Sequence, residues 1–354
     1  MKIAVSVTLV LFLFVSVGYG ETPSPEKGKE NPWTLSLYFE NDLFFGTDQN
    51  YTNGVKTTWI SPDLTSYAEY EKLPPWGRRI ISSLGLISRL RLINEAERMH
   101  NVSFSIGQAM YTPEDVTREE LIVNDRPYAG WLYFGVGFHS KNKWRLDTLE
   151  IQAGVVGPLS AAEQAQKAIH SHRGFSIPQG WNNQLSNEPG LNLFYTRKWR
   201  LFDESAGMGL GFDGLALLGG ALGNVATYAT GGLETRFGWN IPTDFGDSII
   251  APAGSVHDPI TPSDPRLSGK GGFGLYLYAT LDGRAVLRDI FLDGNTLAGS
   301  HSIDKERFVI DTAVGMGIIF SRFKLNLARV MRTREFKAQQ ESQEFGSITL
   351  SFTY

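Results

Sequence analysis

Ile348, Thr349, Leu350, Ser351, Phe352, Thr353 and Tyr354 close the chain, alternating large apolar side chains with Thr or Ser and stopping on an aromatic. A period of two puts the apolar residues on one face and the hydroxyls on the other. That division suits a strand with hydrocarbon on one side and a wet interior on the other. An edge strand of a soluble periplasmic β protein has the same pattern, so recurrence decides between them. The pattern recurs near residues 33–42, 52–60, 101–111, 129–139, 144–155, 189–200, 206–217, 225–239, 272–282, 305–320, 322–334 and 343–354. Each run is about the 9–11 residues of a tilted membrane-crossing strand, or slightly longer. Twelve is an even number, as single-chain bacterial barrels prefer. The expected fold is all-β: a twelve-stranded antiparallel transmembrane β-barrel.

The start of the chain and its composition agree. Lys2, the apolar run Ile3 to Val17, and Gly18, Tyr19 and Gly20 before Glu21 read as a secretory signal peptide over residues 1–20. A polar arm, 21–32, then leads into one barrel domain, 33–354. No other stretch approaches the ~20 apolar residues of a spanning helix. The chain has 38 glycines, 12% aromatics and no cysteine. An exported barrel needs no disulfide, because its backbone bonds close on themselves. A net charge of −4 gives no electrostatic case for nucleic acid. The expected location is the Gram-negative outer membrane, as a monomer surrounded by outer-membrane lipids.

An even strand count puts both termini in the periplasm. The connections at 43–51, 112–128, 156–188, 218–224, 283–304 and 335–342 are then extracellular. Two periplasmic connections are long. The one at 61–100 is expected to be partly helical from Trp76 to Leu92. The one at 240–271 is rich in Pro, Gly and Asp, and either hangs below the barrel or folds into its lumen. In the third extracellular connection, Ser160, Ala161, Ala162 and Glu163 read as a capping box. Helix formers continue to Arg173, and Gly174 is placed to stop them. This extracellular loop helix carries His170 and His172 to the outer mouth.

Several polar residues gather at that mouth. In the first hairpin Thr34, Ser36, Tyr38, Glu40 and Asp42 face inward, as do Thr52, Gly54 and Lys56 on the return strand. Alternation puts Asn41 on the lipid side, unless a bulge turns Asn41 and Asp42 to one site. Glu40, Lys56 and Tyr38 also fit an ordinary polar lumen. Arg126, fixed by Pro127 behind it, offers a guanidinium suited to phosphate. His170 has the side chain best suited to accept a proton near neutral pH. There is no Gly-x-Ser-x-Gly elbow, no His-Glu-x-x-His pair and no thiol.

Three loops in order carry a resemblance. The segments are Phe39 to Asp42 with Asp48 to Gly54, Asp125 to Gly130, and Gly154 to Pro158 with Ile169, His170, Gly180, Trp181, Gln184 and Asn187 to Pro189. From about residue 33 onward the chain resembles the lipid A 3′-O-deacylases of Gram-negative outer membranes. The resemblance implies a site between the outer wall and a loop helix. It also implies calcium-dependent hydrolysis of the 3′-linked acyl-oxyacyl ester of lipid A, the membrane anchor of lipopolysaccharide. His170 would activate water, Asn41 and Asp42 would organise the Ca2+ site and the oxyanion with Thr52 nearby, Glu188 would join Asp42 at the metal, and Arg126 would hold a lipid A phosphate or orient the substrate. Asp125 stands where some members have a lysine. The alternatives are a porin or structural barrel without lipid hydrolysis, and an outer-membrane phospholipase, whose serine nucleophile has no evident counterpart beside His170.

Overall fold

The computed structural model describes residues 32–42, 50–67, 73–85, 90, 93, 98–247, 258–261, 263–267 and 272–354. The expected signal peptide, most of the N-terminal arm and the stretch 43–49 of the first extracellular loop lie outside the described residues. Twelve strands follow in order: β1 (Thr34–Asn41), β2 (Asn50–Ile60), β3 (Met99–Thr112), β4 (Ala129–Lys141), β5 (Arg145–Val156), β6 (Glu188–Gly207), β7 (Leu210–Gly223), β8 (Ala226–Trp239), β9 (Phe273–Asp289), β10 (Phe308–Phe320), β11 (Phe323–Arg332) and β12 (Gln343–Thr353). Each pairs antiparallel with its sequence neighbours, and β1 closes the barrel on β12. Closure places Leu37 opposite Leu350 and Ser36 opposite Ser351. The Ser36 and Ser351 hydroxyls lie 2.8 Å apart inside. The terminal aromatic strand therefore seals the wall, as its alternation predicts.

The expected strand ends need correction in three places, one being β9, which runs on to Asp289 and so takes residues 283–289 from the expected extracellular loop into the wall. β6 runs on to Gly207, and its periplasmic turn is tight because Gly207, Met208 and Gly209 all take positive φ (86°, 50° and 83°). Residues 218–223, expected as extracellular loop, belong to β7, so only Asn224 and Val225 join it to β8. The outward face is apolar, with Leu191, Leu218, Leu233, Leu277 and Val314 exposed. At the periplasmic end Trp239 meets Phe273, and Phe352 stacks between Phe323 and Tyr354. These rings form the aromatic girdle of an outer-membrane barrel.

Both long periplasmic connections fold onto the barrel. Segment 61–98 includes helix α1 (Pro75–Ser83), and residues 86–89, 91 and 92 of the expected helical stretch lie outside the described residues. Its residues Leu64, Tyr67, Leu73, Ile81 and Ile93 pack against Val102, Phe104, Val136, Phe138 and Leu149. Those partners have outward strand parity, so this segment sheathes the outer wall of β3–β5. The described residues of segment 240–272 enter the lumen instead. Phe245 and Ile260 pack with Ile60, Leu146 and Leu215. Asp244 is fully buried and pairs with Arg236 (2.7 Å), Arg266 (3.1 Å) and Lys324 (2.7 Å). Burial works to raise the Asp264 carboxyl, but Arg266, 2.8 Å away, outweighs it and holds Asp264 below the ordinary carboxylate range. From outside, helix α3 (Ile290–Asp293) covers the opposite mouth, with Phe291 stacked on Tyr111 at 4.1 Å. Between plug and cover lies a cavity of about 190 Å³ lined by Glu40, Asp282, Arg284, Asp311 and Glu335 among others.

The plug depends on one carboxylate. Removing one partner of a buried ion pair typically costs ~3–5 kcal/mol, because the opposing charge is left uncompensated. Asp244→Ala strands three cations and is expected to destabilise the barrel by about that amount. The midpoint of heat modification on gels should fall clearly below wild type. An unchanged midpoint would mean that the plug contributes nothing to the fold.

Candidate functional site at the outer wall

One corner of the wall breaks the rule that outward side chains are apolar. Asn41 pairs in register with Asn53, Asn53 with Met110, and Met110 with Gly130. Their neighbours Glu40 and Tyr111 face the lumen, so this row faces out. Yet Asn41, Asn53 and Met110 are only 8%, 3% and 1% exposed. Protein therefore covers them. A β-bulge lies at Thr52, between the Tyr51–Tyr111 and Asn53–Met110 pairs. It sits on β2, whereas the sequence reading allowed one on β1, where pairing continues unbroken through Asn41. The extra residue turns Thr52 from its expected inward position to the outer row. There its hydroxyl is 2.7 Å from that of Thr112. Asp42, next after Asn41, is fully buried at the top of β1.

Met110 is covered by the loop helix α2 (Ala162–Arg173), which packs on β3 and β4. Gln108 of β3 donates to the Ser160 carbonyl at 2.6 Å, just before the helix. Gly130 of β4 is indispensable to the approach, because a Cβ there would collide with the Ser160 hydroxyl and Ala162 Cβ. The expected capping box does not form. The Ser160 hydroxyl donates back to the Gly157 carbonyl at 2.6 Å, and Ala161 enters the helix with φ 58°. Gly174 does end the helix, in the left-handed conformation. Ala162, Gln166 and His170 recur every four residues and form its buried stripe. The Trp181 indole N–H donates to Gln166 at 2.8 Å, and its ring packs on Tyr128.

His170 is 3% exposed, while His172 on the next face is open. The Nδ1 of His170 lies 2.6 Å from the Ser176 carbonyl oxygen. A carbonyl only accepts, so Nδ1 carries a proton, and in the neutral imidazole the lone pair is on Nε2. That tautomer is the one a general base needs.

Two expected site residues sit elsewhere. Arg126 is 1% exposed and points into the lumen mouth, not to the surface. It bonds Glu335 at 3.0 Å and lies over the Tyr111 ring at 4.8 Å, while its Nε and Nη2 meet no protein acceptor. Glu335 lies outside the strands. Burial works to raise its carboxyl, but Arg332 and Arg126 outweigh that and hold it below the usual range. Glu188, expected at a metal, uses both carboxylate oxygens on neighbouring loops. It accepts from Asn224 at 3.0 Å, Asn295 at 3.2 Å, and the backbone N–H groups of Thr296 (2.7 Å) and Leu297 (3.2 Å). It is a clasp between the third and fifth extracellular loops. Glu40, Lys56 and Tyr38 form lumen contacts, with Glu40 accepting from Tyr51 at 2.9 Å and Lys56 lying 3.8 Å from Glu150. No cluster of three or more His, Asp or Glu suited to a metal occurs among the described residues. Asn53, Thr112, Gln108 and Trp181 are site residues that the sequence reading did not assign a role. The odd spacing from Tyr51 to Lys56, both inward, is the signal that a bulge lies between them.

A closed twelve-stranded wall with a buried histidine helix against its outer face is the arrangement the loop motifs imply. The family model for outer membrane protein LpxR matches residues 7–354. The chain belongs to the LpxR family. It is an outer-membrane lipid A deacylase, acting at the 3′-O-linked acyl group. LpxR from Salmonella typhimurium shares the fold, with a TM-score of 0.69 at 18% identity, over 91% of this chain and 100% of that one. The β domain of the Bordetella autotransporter BrkA aligns over 92% of this chain and 98% of its own, at 8% identity and a TM-score of 0.40. No curated protein sequence matches the chain.

The seat of α2 is testable at Gly130. Gly130→Val should lift the helix from the wall and lower deacylation on the order of 10²-fold, the scale of a ~1 Å misplacement of catalytic groups. The barrel should still show its heat-modifiable band. Wild-type turnover in that variant would mean that contact between α2 and the wall is irrelevant to the LpxR site.

Proposed function

We propose that this LpxR-family barrel hydrolyses the 3′-linked acyl-oxyacyl ester of lipid A with a water activated by His170, in a calcium-dependent manner. The observation that carries the reading is the burial of His170, with its Nδ1 on the Ser176 carbonyl, on a helix packed against the outer wall at β3 and β4. Lipid A occupies the outer leaflet, so its ester linkages lie at the same wall and the same height. His170 Nε2 accepts a proton as water attacks the ester carbonyl. The same nitrogen then returns that proton to the departing sugar oxygen, which leaves lipid A with a hydroxyl and releases the fatty acid. Asn41 and Thr52 contribute an amide and a hydroxyl to the carbonyl oxygen as it gains charge.

The donor chemistry of the corner suits calcium. Asp42 offers a carboxylate, Asn41 and Asn53 offer amide oxygens, and Thr52 offers a hydroxyl, all hard ligands of the kind Ca2+ takes. Asp42 with these neighbours would hold the ion, which when bound supplies Lewis-acid stabilisation of carbonyl charge. Glu188 is not in this set, because its oxygens are committed to Asn224 and to the fifth loop.

Purified barrel in detergent micelles, with lipid A as substrate and product masses as readout, tests the scheme. His170→Ala should lower the rate by ~10² to 10⁴ with calcium unable to restore it. Asp42→Ala should also be inactive at ordinary calcium and partly recover in excess, while chelation should silence wild type. His172→Ala should stay near wild type. Full activity of a folded His170→Ala barrel would transfer the nucleophilic role to a hydroxyl such as Thr52.

A further inference from the structure

The buried stripe of α2 is held by a chain of contacts that does not end at the outer wall. Gln166, one turn before His170, accepts from Trp181 at 2.8 Å. The Trp181 ring packs on Tyr128 with centroids 4.9 Å apart. The Tyr128 carbonyl accepts from Leu185 N–H at 3.0 Å, so the second and third loops share backbone as well as rings. Two residues before Tyr128 stands Arg126, which reaches through the mouth to Glu335, 209 positions away in sequence. Glu335 is fixed in turn. Its N–H donates to the Gln339 side chain at 2.7 Å, its carbonyl accepts from Glu306 N–H at 2.7 Å, and Arg332 lies 3.4 Å from its carboxylate. His301 adds a contact from the fifth loop to the Asp125 carbonyl at 2.8 Å.

We infer that Arg126 and Glu335 are positioning residues for the deacylation: their buried ion pair locks the second extracellular loop to the sixth and, through Tyr128, Trp181 and Gln166, sets the helix that carries His170. The inference rests on the function proposed above. A direct clamp on a lipid A phosphate would require Arg126 to open to the outer surface. Instead its guanidinium lies inside the mouth, over Tyr111 and against a carboxylate. Pro127 restricts the backbone of Arg126, and the Arg126 N–H donates to Asp125 at 2.7 Å, so the ion pair fixes a short, stiff segment leading to Tyr128. Chemistry is sensitive to such indirect support, since a shift of ~1 Å in a catalytic group can cost on the order of 10² in rate.

Glu335→Gln separates the two roles. It preserves size while removing the charge that holds Arg126. A phosphate clamp would be left intact or strengthened, whereas a latch would fail. The expected result is that Arg126→Gln and Glu335→Gln each lower kcat on the order of 10²-fold with KM unchanged. The double variant should be no slower than the worse single, because residues acting through one contact are non-additive. The ratio of rates on phosphorylated and dephosphorylated lipid A should match wild type in all three. A second readout needs no activity. The chain has no cysteine, so His172→Cys gives one spin-label site on the exposed face of α2. The label should be immobilised in the otherwise wild-type barrel and mobile when either partner is changed. Wild-type kcat in Glu335→Gln, a loss in Arg126→Gln confined to KM for phosphorylated lipid A, or a label unmoved by either change would each overturn the latch. A parent barrel that leaves lipid A intact would overturn the proposed function, and the label spectra would still decide the latch.

Discussion

Hydrocarbon accepts no hydrogen bonds, and every polar group facing it without a partner costs several kcal/mol. The wall meets that constraint by closing β1 on β12, by turning most of its polar groups inward, and by pairing outward charges such as Asp147 with Arg145 and Arg197. The row Asn41–Asn53, with Thr52 turned out beside it, is an exception on the outward face. It is tolerable only because protein lies over it. The loop helix, seated on the neighbouring strands β3 and β4, holds His170 buried on the same outer wall. A membrane protein that acts on a membrane lipid thus carries covered polar side chains on its outer wall without opening its lumen.

The lumen is used for support. Segment 240–272 fills its periplasmic side through the Asp244 pairs, and α3 covers the outer mouth. A passive porin needs a continuous wet path, and this interior is instead occupied by folded chain and paired charges. The extracellular loops are also bound to one another. Glu188 joins the third to the fifth, Arg126 joins the second to the sixth, and Gly157 N–H bonds the Gly130 carbonyl at the base of the third. Rigid loops of this kind hold catalytic groups to the tolerance that ester hydrolysis requires.

Most of the wall was legible from period two alone, because lipid on one side and polar lumen on the other impose it residue by residue. Strand ends were less so. Gly207, Met208 and Gly209 turn by backbone conformation, which the side-chain pattern of β6 and β7 does not encode. The loop helix was readable from its composition and from Gly174, but its start was misread, since Ser160 bonds Gly157 where a capping box would have it bond the helix. His170 and Asn41 could be assigned to the outer mouth from parity and motif order. Thr52 could not be oriented without the bulge. Glu188 and Arg126 could be read as charged rim residues, yet their partners come from the fifth and sixth loops, 107 to 209 positions away. Such partners are fixed by barrel closure and leave no local trace in sequence.

On the proposed scheme, polar residues covered on the outer wall, not the lumen, remove an acyl group from lipid A. Mass spectrometry of lipid A from cells with and without this chain tests it most directly, with fragmentation to locate the change. The account predicts a product lighter by one acyl-oxyacyl unit, missing from the 3′ position, in cells that carry the folded barrel. Lipid A of unchanged mass beside an abundant, heat-modifiable barrel in calcium-replete membranes would contradict it.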